Sequence, residues 1–137
     1  MVDFLHVKPS SQKMYLYHNG EIESFYEIST AANGMGELKN SFATPRGWHC
    51  IRAKIGTGAP KGAVFVGRRW TKEIFSDELF ESSKDRDWIL TRIMWLSGLE
   101  PGFNRLNNVD TMQRYVYIHG CPEQRLQHRP MTRGCVG

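Results

Sequence analysis

The chain has 137 residues, of which 40% are hydrophobic and 23% charged, with a formal net charge of +4. These proportions fit one globular domain around one core, and they exclude disordered and collagen-like chains. The 18 Lys and Arg are dispersed, and only the pair in "GRRW" at 67–70 is adjacent, so no basic stripe of the kind nucleic acid requires is present.

In chain order, "FLHV" at 4–7 predicts a short opening strand. "MYLYHNGEIESFYEIST" at 14–30 predicts a hairpin. Its two β-branched and aromatic runs flank Asn19-Gly20, a dipeptide that accepts positive φ at both central turn positions. "AANGMGELKNSFATPRG" at 31–47 is rich in Gly, Asn and Pro without a period and reads as a loop. "WHCIRAKI" at 48–55 and "AVFVG" at 63–67 read as strands joined through a Gly- and Pro-rich turn. "TKEIFSDELFESSKD" at 71–85 has room for one or two helical turns.

"DWILTRIMWL" at 87–96 fits a buried strand or a helix by periodicity, and its Trp, Ile and Thr favour strand. "RYVYIHG" at 114–120 reads as a strand. The sum is a mainly β, single-domain, sandwich- or barrel-like assembly with short helical segments. Trp88 and Trp95 are expected in the core, and His49 and Cys50 are expected to be structural.

Cys50, Cys121 and Cys135 make an odd count, too few for a disulfide scaffold. No apolar run reaches the ~18 residues of a membrane span. "MVDFLHVKPSSQK" lacks the basic-then-apolar pattern of a signal peptide. From these features the chain is expected to be either cytoplasmic or separated from its export signal.

The final stretch, "YVYIHGCPEQRLQHRPMTRGCVG", holds the residues with chemistry to offer. His119 ends a predicted strand, where an imidazole can take the proton of a thiol. Cys135 follows Gly134, whose missing side chain lets backbone N–H groups face a reacting carbonyl oxygen. On the residues alone two other readings stand beside this one. The cysteine can be a small buried apolar residue. A zinc site from His119, Cys121, His128 and Cys135 is possible by residue type, although intervals of one, six and six intervening residues match no common ligand spacing.

Over nearly its whole length the sequence resembles the L,D-transpeptidase catalytic domain, the YkuD or ErfK/YbiS/YcfS/YnhG family. The stretches that carry the resemblance are "YLYHNGE", "ISTAANGMGE", "FATPRGWHCIRAKIGTGAP", "VFVGRR", "DWILTRIMWLSGLEPG", "NNVDTMQRYVYIHG" and "TRGCVG". His119 followed by Thr132-Arg133-Gly134-Cys135 matches the family signature of a histidine and a Ser/Thr-x-Gly-Cys element.

The resemblance implies a β-sandwich-like catalytic fold and peptidoglycan stem peptides as substrate. It also implies periplasmic or cell-wall activity, carbapenem-type inhibitors, and no cofactor, metal or nucleic acid; a monomer is expected. Cys135 would be the nucleophile and His119 the base, with the Gly120 carbonyl fixing the His119 tautomer. N–H groups of Gly134 and Cys135 would form the oxyanion hole, and Thr132 would shape the turn. Arg133, Thr132, Asn108 and Arg105 would contact the stem.

A cysteine acyl-enzyme would release D-Ala from a tetrapeptide donor and pass the acyl group to a neighbouring stem as a 3→3 crosslink. Water or a D-amino acid as acceptor would give a carboxypeptidase or an exchange enzyme, and a chain without activity would be a peptidoglycan-binding remnant. Three positions differ from the family pattern. Arg133 replaces a common His and is expected to favour the thiolate by charge. Cys121 replaces a common Thr, which raises a Cys121–Cys135 bridge. The sequence stops at Gly137, so the family pattern implies a domain 1–137 without its last helix and strand and without the Arg that follows the Gly-Cys element.

Overall fold

The computed structural model describes residues 3–127 and 129–137. Two antiparallel sheets form. The first is a meander of β1 (Phe4–Lys8), β2 (Lys13–His18) and β3 (Glu21–Glu27). The predicted opening strand and hairpin are both there. Asn19 and Gly20 take φ of 51° and 80°, the positive pair that matches the twist of the flanking strands.

The second sheet contains β4 (His49–Ile55), β5 (Ala63–Val66), β6 (Arg69–Ile74), β7 (Ile89–Gly98) and β8 (Tyr117–Gly120). Its centre is β7. Cα partners His49↔Gly98 and Val64↔Leu90 place β4 and β5 along one edge of β7, and Ile93↔His119 places β8 along the other. The 87–96 segment is therefore strand, as its β-branched and aromatic content favours.

Three segments differ from their predicted form. The 71–85 stretch divides: its first residues belong to β6, which pairs with β5, and only α1 (Asp77–Ser82) is helical. Ser76 caps that helix by accepting the Leu79 N–H at 3.1 Å. The strand read over 114–120 begins only at Tyr117, because Tyr115 adopts φ of 57° and breaks the extended run. A second short helix, α2 (Glu123–Leu126), follows β8. The 31–47 loop carries only isolated bridges.

Three clusters hold the layers together. Met14 and Ile28 from the meander side pack on Ile118 and Val136, with Met94 and Leu96 beside them. On the opposite face of β7 and β8, Ala63, Phe65, Ile93 and Tyr117 form the second, against which Trp95 and Cys135 pack. Val64, Phe80, Trp88 and Leu90 form the third under α1. Each fully buried side chain of this size contributes about 1.5–3 kcal/mol. Trp88 lies in the core as predicted and Trp95 packs at its margin.

Several buried polar groups are satisfied by long-range bonds. Asn104, fully buried, donates to the carbonyls of Arg46 and Trp48 and accepts from the Glu100 N–H, each at 3.0 Å. Gln12 donates to Thr30 Oγ1 at 2.8 Å and accepts the Thr30 N–H at 2.9 Å, fixing segment 28–32. His49 is structural, with Nδ1 on the Gly47 carbonyl and Nε2 on Thr111 Oγ1.

Residues 132–137 close the two sheets together. His119 N–H donates to the Val136 carbonyl at 3.0 Å, and Val136 N–H to the Tyr117 carbonyl at 2.9 Å. On the tail's other side Gly137 and Ser29 exchange both backbone bonds at 2.9 Å, and Thr132 N–H bonds the Thr30 carbonyl. The tail is thus an inserted strand-like element between β8 and segment 28–32.

Candidate active site

The side chains of His119 and Cys135 share one face of this β8–tail pair. Ile118 and Val136 are bridge partners, and both point into the meander-side cluster. Neighbours in an extended chain point the opposite way, so Cys135 joins Tyr117 on the far face, and His119 follows the same alternation. The proposed base and nucleophile therefore stand on adjacent strands, offset by two residues along the pair.

His119 is 8% exposed, and its Nδ1 lies 2.7 Å from the Gly120 carbonyl. A carbonyl can only accept, so Nδ1 carries the proton and Nε2 keeps its lone pair. Burial holds the imidazole below its usual 6.5, which keeps it neutral and basic at physiological pH. The Asp87 carboxylate acts the other way and favours the imidazolium.

Cys135 is a resting thiol. Tyr117 N–H donates to Sγ at 3.3 Å, and the thiol faces the Tyr115 carbonyl at 3.6 Å; among the described residues no hydrogen bond joins it to His119. Burial pushes the thiol up to about 12. Ionisation at neutral pH therefore needs a base at the moment of attack.

The turn before it is built by Thr132, whose hydroxyl donates to the Cys135 carbonyl at 2.6 Å and accepts the Gly134 N–H at 3.3 Å. This is the local bond expected of Thr132. It also modifies the oxyanion-hole expectation: the Gly134 N–H is directed to Thr132, and the Cys135 N–H is the one left without a partner among the described hydrogen bonds. Gly134 has φ of 127°, and a β-carbon there would stand 3.2 Å from the Ala43 carbonyl oxygen. Glycine is required both by conformation and by this close approach.

The cation that reaches the thiol is not Arg133, which is exposed, but Arg114, whose charge favours the Cys135 thiolate. Arg114 lies behind the Gly134 turn, bonding the Ala43 carbonyl at 2.5 Å, Ser41 Oγ at 3.2 Å and the Gly36 carbonyl at 3.2 Å. Nothing in the sequence marked it, because its partners lie in the 31–47 loop. Asp87 was missed likewise; its charge reaches both His119 and Cys135.

Other candidates are dispersed. Arg105 and Asn108 are exposed in the 99–110 loop, where their carbonyls accept the Gly102 and Lys39 N–H groups. Cys121 and Cys135 are both free thiols. Cys121 Sγ lies 3.5 Å, and His119 Cε1 3.4 Å, from where a β-carbon of Gly137 would stand, whereas Cys135 Sγ is at Tyr115 and Tyr117. The structure thus gives the two thiols different neighbours and forms no bridge between them. Burial pushes Cys121 up to about 11.

Of the residues weighed for zinc, His128 lies outside the described residues. Among the described residues no three His, Cys, Asp or Glu side chains group as a metal site, and no helix is long and apolar enough to cross a membrane.

A cavity of about 620 Å³ opens beside this face, lined by Lys61, Asp77, Thr91, Gly120, Cys121 and Glu123 among others. A smaller one lies between Asp87, Trp88, His119 and Thr132. Trp88 Nε1 is the one buried side-chain nitrogen or oxygen without a partner among the described residues.

The family model for the L,D-transpeptidase catalytic domain, YkuD, matches residues 3–137. No curated protein and no solved structure matches the chain. With nearly its whole length matched, the chain belongs to the L,D-transpeptidase catalytic domain family, whose mainly β fold it shares.

Proposed function

We propose that this member of the L,D-transpeptidase family forms 3→3 crosslinks in peptidoglycan through a Cys135 acyl-enzyme. The observation that carries the reading is the His119 Nδ1–Gly120 carbonyl bond at 2.7 Å. It leaves a basic Nε2 on the face where Cys135 stands.

In this scheme Nε2 takes the thiol proton as Sγ attacks the carbonyl of the third residue of a donor tetrapeptide. Charge on the tetrahedral oxygen meets the Cys135 N–H, one preorganised donor of a kind worth ~10²-fold or more in rate. The imidazolium returns the proton to the departing amine of D-Ala, and a thioester remains. An acceptor amine then attacks the thioester, gives its proton to Nε2 and restores the thiol. Arg114 supplies the charge that favours the thiolate, and Asp87 that which favours the imidazolium.

Water as acceptor would give a carboxypeptidase and a D-amino acid an exchange enzyme by the same steps. The acidic Asp77 and Glu123 in the large cavity suit an amine better than water. Action on peptidoglycan would put the enzyme outside the cytoplasmic membrane, in the periplasm or cell wall.

A carbapenem incubated with the reduced protein is expected to add its mass to Cys135, and Cys135→Ala to abolish the addition. A folded protein whose Cys135 stays unmodified would refute the enzyme reading and leave a peptidoglycan-binding remnant. Products formed with and without an acceptor stem separate crosslinking from hydrolysis.

A further inference from the structure

We propose that Arg68 is a binding group for the α-carboxylate of the D-amino acid that leaves the donor stem, so that the enzyme selects donors ending in a free acid. The inference rests on the donor reading above, and on geometry outside the His119–Cys135 pair.

Gly67 and Arg68 are the two central residues of the β5–β6 hairpin, with φ of 57° and 64°. The first is a glycine, as such a turn favours; the second position is occupied by an arginine in a conformation that L-residues avoid. Strain held in a turn is grounds for asking what the side chain does.

The Arg68 guanidinium lies over two rings, 4.8 Å from the Tyr115 centroid and 5.2 Å from that of Trp95. Its Nη1 donates to Tyr117 Oη at 3.1 Å. Two rings and a hydroxyl therefore hold the group in place before any ligand arrives. No carboxylate pairs with it among the described residues, and its remaining N–H groups are uncommitted there. A planar cation with an open donor edge is the fork that a carboxylate fits bidentately.

The residues that hold Arg68 are also those that hold the thiol. Tyr117 bonds Arg68 through its hydroxyl and Cys135 Sγ through its backbone N–H, and the Tyr115 ring lies under the guanidinium while its carbonyl faces Sγ. One tyrosine side chain thus separates the nucleophile from the cation. In a donor stem the leaving residue's carboxylate lies one residue beyond the scissile carbonyl. That length, with an attack distance at one end and a hydrogen bond at the other, is of the same order as the tyrosine span. A carboxylate anchored there would also orient the scissile amide towards Sγ.

The test uses the Cys135→Ala protein, which cannot turn the peptide over, and calorimetric titration with two tetrapeptide stems. One ends in D-Ala with a free carboxylate and the other in D-alaninamide. The free acid is expected to bind roughly tenfold or more tightly, the difference a charge-assisted bidentate pair makes. Arg68→Gln is expected to erase the difference by weakening the acid alone, and Arg68→Lys to keep part of it.

Equal affinities with Arg68 in place overturn the proposal. So does failure of both peptides to bind, or an Arg68→Gln loss equal for acid and amide, which would put the cation on another carboxylate of the stem. Should Arg68→Gln not fold, the acid–amide comparison on the parent decides the matter alone. Turnover by the Cys135 enzyme without discrimination would break this site and leave the reaction standing; discrimination without turnover would do the reverse.

Discussion

The N-terminal meander and the C-terminal tail are both extended chain, held by opposite means. In the meander each strand bonds its neighbour through a short connection, and most side chains of β3 face solvent. The tail instead bonds β8 on one side and Ser29, more than a hundred residues back, on the other, and Val136 and Gly134 are buried. The meander is local and tolerant. The tail is non-local and bears the proposed nucleophile, so changes there are expected to reach activity and stability together, and changes in the meander to reach stability alone.

The largest test of that contrast is His119→Gln, expected to lower acylation of Cys135 by about 10²- to 10⁴-fold, read as mass addition against time. Next is Gly134→Ala. It forces a side chain into φ of 127° and against the Ala43 carbonyl, so a cost of roughly 1–3 kcal/mol is expected in denaturant unfolding, together with slowed acylation. Unchanged acylation in a destabilised Gly134→Ala protein would break the contrast, because the tail would then be a mere fastening.

Smaller is the pH response. His119 is held below 6.5 in the fold, so the unfolded chain binds a proton first and stability is lost as pH falls below that value. Cys135 is raised from 9.0 to about 12, so the unfolded thiol ionises first and stability is lost as pH rises above about 9. A plateau between these limits, measured by melting temperature against pH, is expected to lose its alkaline edge in part in Cys135→Ala.

In the meander, Gly20→Ala at φ of 80° is expected to cost about 1–2 kcal/mol without changing the acylation rate of the folded protein. Least of all is Glu81→Gln, which removes the exposed Lys84 pair and should move unfolding by less than about 1 kcal/mol.

What could be read from the sequence follows the same division. Asn19-Gly20 announced its hairpin because turn chemistry is local. The β-branched residues of β7 announced a strand, and the resemblance along the chain, with His119 and Thr132–Cys135 in its signature, announced the family. β6 was hidden because "TKEIF" continues into the helical "DELFES", and only pairing with β5 decides its state. Arg114 and Asp87 were hidden for a stronger reason. A side chain matters to the thiol by where the fold brings it, and Arg114 finds its partners 71–78 residues upstream. Arg133, beside Cys135 in sequence, is exposed, so proximity along the chain misdirected the charge assignment.

The position of the tail also has a consequence for biosynthesis. Residues 132–137 leave the ribosome after every strand they bond, so Cys135 is the last of its constellation to be made. Until Val136 docks on β8 and Gly137 on Ser29, Cys135 shares no face with His119. On the function proposed above, a nascent chain can therefore complete both sheets while remaining chemically silent, and it becomes reactive only when the seam between them is sewn.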